Sequence, residues 1–391
     1  MIRVTQVSII MLLIMSNLIA QNNSSEKIMV NVFFPFTMDI DPMERLLLIN
    51  FEKDPDSVYI GFEPQLFNDP FNGSGHLIIG WRRDKKIDVY HQKSLNPNPL
   101  KYSIAGAGLN EMIPTDMETA FFEVNDFGVQ AYYRFNDLMG RAVEIAIREK
   151  NPKTRKPFGL LAPMGDAAIH PTSLPLILLH DFYFVRKKHT TIRLTIAHRS
   201  HKVDQLPIRM DGTKMTFVRY SPQPLIATLN ANYEGTLKGF DAEIGQQIVE
   251  TDDYIFEINW SNQTASIQSM SVKNNIHLIS MVFNPAFPCL SSIAENSSHQ
   301  GEFTITGHNS VGSISGFYSI QSNKESTHIK LVPSMGWKPK TTKLSTRFLF
   351  TVAKVFRKWP TTYQWDAEIH NEPQGEWYME SKWKRSGKIL Q

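Results

Sequence analysis

The sequence predicts a mainly β protein whose antiparallel sheets form two β-barrel or β-sandwich units with few helices. Three observations predict it. Beyond residue 40 apolar side chains recur with period two, clusters of turn residues separate these segments, and no long helical pattern lies between them. Strands that recur every roughly 10–15 residues belong to sandwiches and barrels rather than to βαβ units. A chain of 391 residues exceeds one ordinary core, because domains run to about 100–200 residues. The expected division is an N-terminal β domain over 28–205 and a C-terminal β domain over 206–391.

The clearest element is a hairpin over 129–149. Val129, Ala131, Tyr133 and Phe135 share one face and Gln130, Tyr132 and Arg134 the other; Asn136 to Gly140 supplies the turn, and Val143, Ile145 and Ile147 return on the apolar face. Further strands are expected at 44–51, 57–62, 75–81, 86–91, 174–185, 189–198, 213–220, 252–260, 275–283, 301–307, 313–321 and 374–384. Segment 343–358 fits a helix as well as a strand, since Leu349, Val352 and Phe356 fall near helical spacing before Pro360. The polar stretch 199–212, with Pro207 and the turn Asp211-Gly212, marks the best boundary; 233–247 is a weaker one.

Residues 1–20 place Arg3 before the apolar run Val7 to Met15, followed by Ser-Asn-Leu-Ile-Ala. That order predicts a secretory signal cleaved after Ala20, hence a secreted or periplasmic protein. The alternative is a cytoplasmic protein whose first strand or helix begins there, which the single cysteine favours. No other segment reaches the about 18 apolar residues of a spanning helix, so no integral membrane segment is expected in the mature chain.

Lys plus Arg (41) against Asp plus Glu (38) leaves a net charge of +3, far from the basic excess that makes phosphate contacts dominate. Nucleic acid is therefore not an expected partner. With one cysteine, Cys289, an intrachain disulfide, a Cys-rich zinc site and a Cys-x-x-Cys motif are excluded. The twelve histidines contain no His-x-x-x-His or His-Glu-x-x-His element, so neither a metal nor another cofactor is expected. Gly312-Ser-Ile-Ser-Gly316 has Ile314 where a nucleophile elbow needs serine.

Three segments carry candidate chemistry. Strand Pro175 to Val185 is apolar on both faces except for His180 and Asp181, which an extended backbone would point to opposite faces and so keep apart. Burying either group demands a hydrogen-bond partner or a ligand. Just upstream, Pro157 to Pro171 reads as an apolar, Gly/Pro-punctuated loop holding Met164, Asp166 and His170, the composition of a lid or a buttress. A third loop, 104–118, clusters Glu111, Asp116 and Glu118; paired carboxylates are what glycoside hydrolysis uses. The aromatic run Trp359 to Trp365 and Trp377-Tyr378 could line a sugar or lipid site or fill a β core.

In architecture alone, tandem barrels of lipocalin kind are the natural comparison, since their apolar interiors take small hydrophobic ligands. The leading expectation is an exported two-domain β protein that binds a small apolar molecule near 157–171 and 174–185, with His180, Asp181, Met164 and Trp81 as binding residues. The alternatives are a carbohydrate- or lipid-active enzyme using Glu111, Asp116, Asp166 or His170, and a structural protein without a pocket. The oligomeric state stays open.

Overall fold

The computed structural model describes residues 27–41, 43–103, 105–162, 168–210, 212–273, 278–341, 343–352, 359–371 and 376–386. The expected signal segment 1–20 lies outside them. The fold is mainly β and antiparallel, with curled sheets.

The hairpin forms as its alternation requires: Gly128–Asn136 and Ala142–Glu149 pair from Asn136 opposite Ala142 to Gln130 opposite Arg148. It is the middle of a five-stranded sheet with Phe121–Asn125 on one side and Thr190–Ile196 and Arg199–Ser200 on the other. Its apolar face (Val129, Tyr133, Phe135, Ile145, Leu194) packs on Leu47, Ile49, Phe62, Ile78, Tyr90 and Tyr220 of a larger sheet. These two layers make a sandwich.

The larger sheet runs in the order Met38–Asp41, Leu225–Leu229, Leu174–Arg186, Met215–Ser221, Arg45–Asn50, Tyr59–Asp69, Gly73–Arg82, Ile87–His91 and Leu109–Pro114, with Phe158–Ala162 paired onto Leu174–Arg186. Its last pair, Ile87–His91 with Leu109–Pro114, is parallel. A parallel pair needs a crossover, and the segment holding the short helix Pro99–Tyr102 supplies it. Two segments expected to be loops are therefore partly strand: 109–114 and 158–162. Met215–Ser221 and Leu225–Leu229 belong to this sheet as well, and the chain leaves it between Leu229 and Tyr233.

The second ten-stranded sheet is a meander in which sequence neighbours pair from Ile248–Glu250 through to Trp377–Arg385, and Tyr233–Leu237 joins the far edge. Its inward side chains and the other face of the first large sheet form one continuous core. The N-terminal segment sews the two sheets together. Met29–Val32 pairs with Phe240–Glu243 in a separate two-stranded sheet and Met38–Asp41 with Leu225–Leu229 of the first large sheet, so the link to the second large sheet is made by packing. Between them Phe34 and Phe36 enter the second sheet: Phe36 lies 5.5 Å from Phe283, 5.1 Å from Phe287 and 5.3 Å from Trp365, ring centre to ring centre. Trp359 and Trp365 are wholly buried. These aromatics fill the core rather than line an open site, while Trp377 is half-buried against Phe33. Cys289 is buried beside Ser291.

Within 343–358, the described part is a helix, Leu344–Val352. Phe350 anchors it on Trp337, 4.9 Å between ring centres. Among the described residues no helix is long and apolar enough to cross a membrane.

At one end of the sandwich Arg141, in the hairpin turn, bridges Asp56 (2.9 Å) and Asp137 (2.7 Å). Burial alone would raise the Asp56 carboxyl, but the hydrogen bonds from Arg141 and from the Val58 and Ser57 backbone outweigh it and hold the group at about 2. A carboxyl depressed in the folded state stabilises above its unfolded value and loses that contribution as pH falls through the folded one. Stability should therefore drop between about pH 4 and pH 2, and Asp56→Asn should flatten that limb of a denaturation-against-pH curve. An unchanged limb would show that the bridge contributes nothing.

Candidate functional site

Strand pairing sets out the face of the first large sheet that turns toward the shared core. Phe62 pairs with Ile49 and Gln65 with Leu46, which places Leu48 across from Glu63; Glu63 pairs with Ile79, Ile79 with Val89, and Val89 with Met112. On the far side of Leu48 stands Arg219. One row thus reads Arg219, Leu48, Glu63, Ile79, Val89, Met112. The flanking rows carry Trp81 and Ile87 on one side, and Ser221, Leu46, Gln65 and Leu77 on the other. Side chains directly opposite on neighbouring strands are about 5 Å apart, so Glu63 sits in the middle of an apolar field.

Glu63 is 1% exposed. Trp81 Nε1 donates to its Oε2 (3.1 Å) and Gln65 Nε2 to its Oε1 (2.9 Å). Burial pushes its carboxyl up; those two hydrogen bonds and the charge of Arg219 oppose the shift without cancelling it. Burial likewise pushes the Arg219 guanidinium down to about 10 against the pull of Glu63, Glu52 and Asp204. Arg219 bonds Asn50 and lies 4.1 Å over the Phe217 ring. On this face three buried polar atoms have no hydrogen-bond partner among the described residues: Gln65 Oε1 next to the carboxyl, and Arg219 Nε and Ser221 Oγ two strands away. Buried polar groups are nearly always hydrogen-bonded, and each exception needs an explanation. Leu48, Trp81, Met112 and Phe217, by contrast, are only half-buried.

Two glycines shape the surroundings. At Gly61 a β-carbon would crowd the Ile49 carbonyl at 3.1 Å and meet the Trp81 side chain only in ordinary contact, at 3.6–3.7 Å. Gly106 has φ +57°, and a β-carbon there would meet the Lys85 carbonyl at 2.0 Å and the Trp81 ring at 3.9 Å. Ile169 N–H donates to the Gly106 carbonyl (3.1 Å). Ile169 thus lies against the Gly106 turn beside Trp81, a residue of the expected binding set.

The other expected residues are placed elsewhere. Glu111, Asp116 and His170 are exposed. Glu111 is on an edge strand and Asp116 accepts from the Glu118 N–H (3.1 Å). Met164 and Asp166 lie outside the described residues. His180 and Asp181 are not kept apart: Nε2 and Oδ2 are 3.4 Å from each other. The cause is a β-bulge. Phe158 pairs with Phe182 and Leu160 with Leu179, so His180 and Asp181 together oppose Gly159, and such an insertion re-aims side chains. On the strand's other side Leu178 pairs with Leu225 and Tyr183 with Tyr220. Pro222 and Pro224 fall in the gap, where proline cannot donate to a ladder.

The imidazole of His180 also lies 5.0 Å from that of His308, whose Nδ1 is 2.7 Å from Ser310 Oγ, so this cluster joins the two large sheets. Burial lowers the His180 pKa; Asp181 opposes and His308 adds to the shift. Both Ser310 Oγ and Ser310 N–H approach the same ring nitrogen of His308, the arrangement of a local turn. Among the described residues no group of three or more His, Cys, Asp and Glu is placed to hold a metal ion. A separate groove of about 400 Å³ on the second sheet is lined by Gln300, Glu302, Phe317, Ser319 and Lys330 and holds none of the expected residues.

Glu63 escaped the sequence reading, although its signal was present: in Ile60-Gly-Phe-Glu-Pro-Gln-Leu-Phe67 a carboxylate stands at a core-facing position beside a glycine and a proline. No known protein family matches the chain, and neither a curated protein nor a solved structure is similar to it.

Proposed function

We propose that the protein binds a small, largely apolar molecule against the Glu63 face, with the molecule's polar group received by Glu63, Gln65 and Arg219. The observation that carries this reading is the trio of unpartnered buried atoms on the same sheet face as a carboxyl whose pKa burial has raised. Apolar surroundings with a few convergent polar groups and a perturbed ionisable residue characterise small-molecule sites. Leu48, Met112 and Phe217 would take the apolar body, and the indole of Trp81 would hold Glu63 in place. An extracytoplasmic location belongs to the same proposal and rests on the order of residues 1–20.

The test is extraction and mass spectrometry of what co-purifies with the protein from its native host, followed by Glu63→Gln. Wild type should carry a stoichiometric apolar compound bearing a hydrogen-bonding group, and Glu63→Gln should hold it at least about tenfold more weakly, the cost of one lost charge-assisted hydrogen bond. The same variant should be more stable than wild type above pH 6. A carboxyl raised in the folded state costs stability once pH rises past its unfolded value, about 4.3, and the neutral amide escapes that cost. A ligand-free protein, or undiminished binding by Glu63→Gln, would overturn the proposal.

A further inference from the structure

The helix Leu344–Val352 is anchored on one side and bare on the other. Thr346 and Phe350 are buried, whereas Leu344 is 79% exposed, Phe348 56% and Val352 50%. Residues four apart stack on one helical face, so these three make a continuous apolar stripe in solvent. Arg347 and Thr351 fall on the same exposed arc, and both are exposed. Lys338 and Lys340, also exposed, stand where the preceding strand runs toward the helix. The surrounding sequence is one-sided in charge: from Ser326 to Trp365 there are eight Lys and Arg residues and no Asp or Glu. The rest of the chain is nearly balanced, at 33 against 38 once those eight are taken from 41.

We propose that this helix face docks the protein onto an anionic lipid bilayer, as a peripheral contact. An amphipathic helix with bulky apolar residues on one face and cations beside them lies in the plane of a membrane interface, its apolar side chains among the acyl chains and its cations among the headgroups. Size favours lipid over a protein partner. Nine residues make a helix about 13 Å long and about 10 Å wide, a contact well below the about 800 Å² per side of a stable protein interface. A bilayer needs no matching shape, and its negative surface matches the absence of acids from this stretch.

The experiment is flotation of the full chain with large unilamellar vesicles, either of phosphatidylcholine alone or of phosphatidylcholine containing a third phosphatidylglycerol. Binding should require the anionic lipid, at least about fivefold over phosphatidylcholine alone, and should fall at high salt. Phe348→Ser should weaken it about tenfold and Arg347→Glu severalfold, both with wild-type unfolding midpoints because the two side chains are exposed. Failure to float with anionic vesicles, or equal flotation of Phe348→Ser, overturns the proposal. So does self-association in sedimentation that Phe348→Ser abolishes without any vesicle binding, which would assign the stripe to a second copy of the chain.

Discussion

Replacing Phe36 by alanine is expected to cost about 3–5 kcal/mol, the range for truncating a buried phenylalanine. The upper part of that range applies, because Phe36 is 2% exposed and its neighbours cannot easily close the gap. Phe283, Phe287 and Trp365 come from strands of the second sheet whose positions are fixed by hydrogen bonds on both sides. Rigid walls leave a cavity, and the cavity term adds to the lost transfer energy. The segment that carries Phe36 pairs with strands at both of its ends, so the loss should appear in a single cooperative denaturant transition. Phe71→Ala, at a side chain 82% exposed, is the control and should shift the midpoint by no more than about 0.5 kcal/mol. Equal effects of the two substitutions would mean that Phe36 is not a structural plug.

Asp88→Ala should cost roughly 2–4 kcal/mol. Asp88 is fully buried, and it accepts from Tyr59 (2.8 Å), Arg82 (3.0 Å) and Asn110 (2.8 Å). Removing the carboxylate takes an acceptor from three donors; Arg82 keeps Asp84 and Tyr59 keeps Tyr90, so the cost is that of buried donors left short of a partner, about 1–3 kcal/mol each. Asp88→Asn keeps one acceptor oxygen and should cost distinctly less. Tyr59→Phe removes a single donor and should fall near about 1 kcal/mol. If alanine and asparagine behave alike in denaturant unfolding, the negative charge that both remove, rather than the shape and remaining oxygen that asparagine keeps, governs the site.

What the sequence disclosed and what it withheld follow from range. The 129–149 hairpin was legible because everything that decides it lies within one turn and two alternating strands. Strand Thr264–Lys273 was not, since Ser269 and Ser271 are buried where apolar residues are expected, satisfied by Glu257 and Ser280 across the ladder. Thr327–Lys338 hid behind Pro333 and Gly336, which break its alternation at a register shift. The His180–Asp181 contact depends on the bulge opposite Gly159 and on a gap at Pro222 and Pro224, some forty residues further on. No local pattern encodes such a pairing. Trp81 was singled out but its partner Glu63 was not, because recognising a core-facing carboxylate requires knowing which face of the strand is covered.

The sewing of the sheets by the first strands also dictates when the protein can fold. Asn31 and Asp241, joined across the first of those pairings, are 210 residues apart. At a synthesis rate of about 5–20 residues per second, the partners of the leading strands emerge on the order of 10–40 s after them. Throughout that interval the phenylalanines at 33, 34 and 36 travel on an unpaired chain, open to whatever binds extended apolar peptide. Closure of these pairings is thereby deferred until about 240 residues have been made, which keeps the leading segment threadable over that stretch of synthesis.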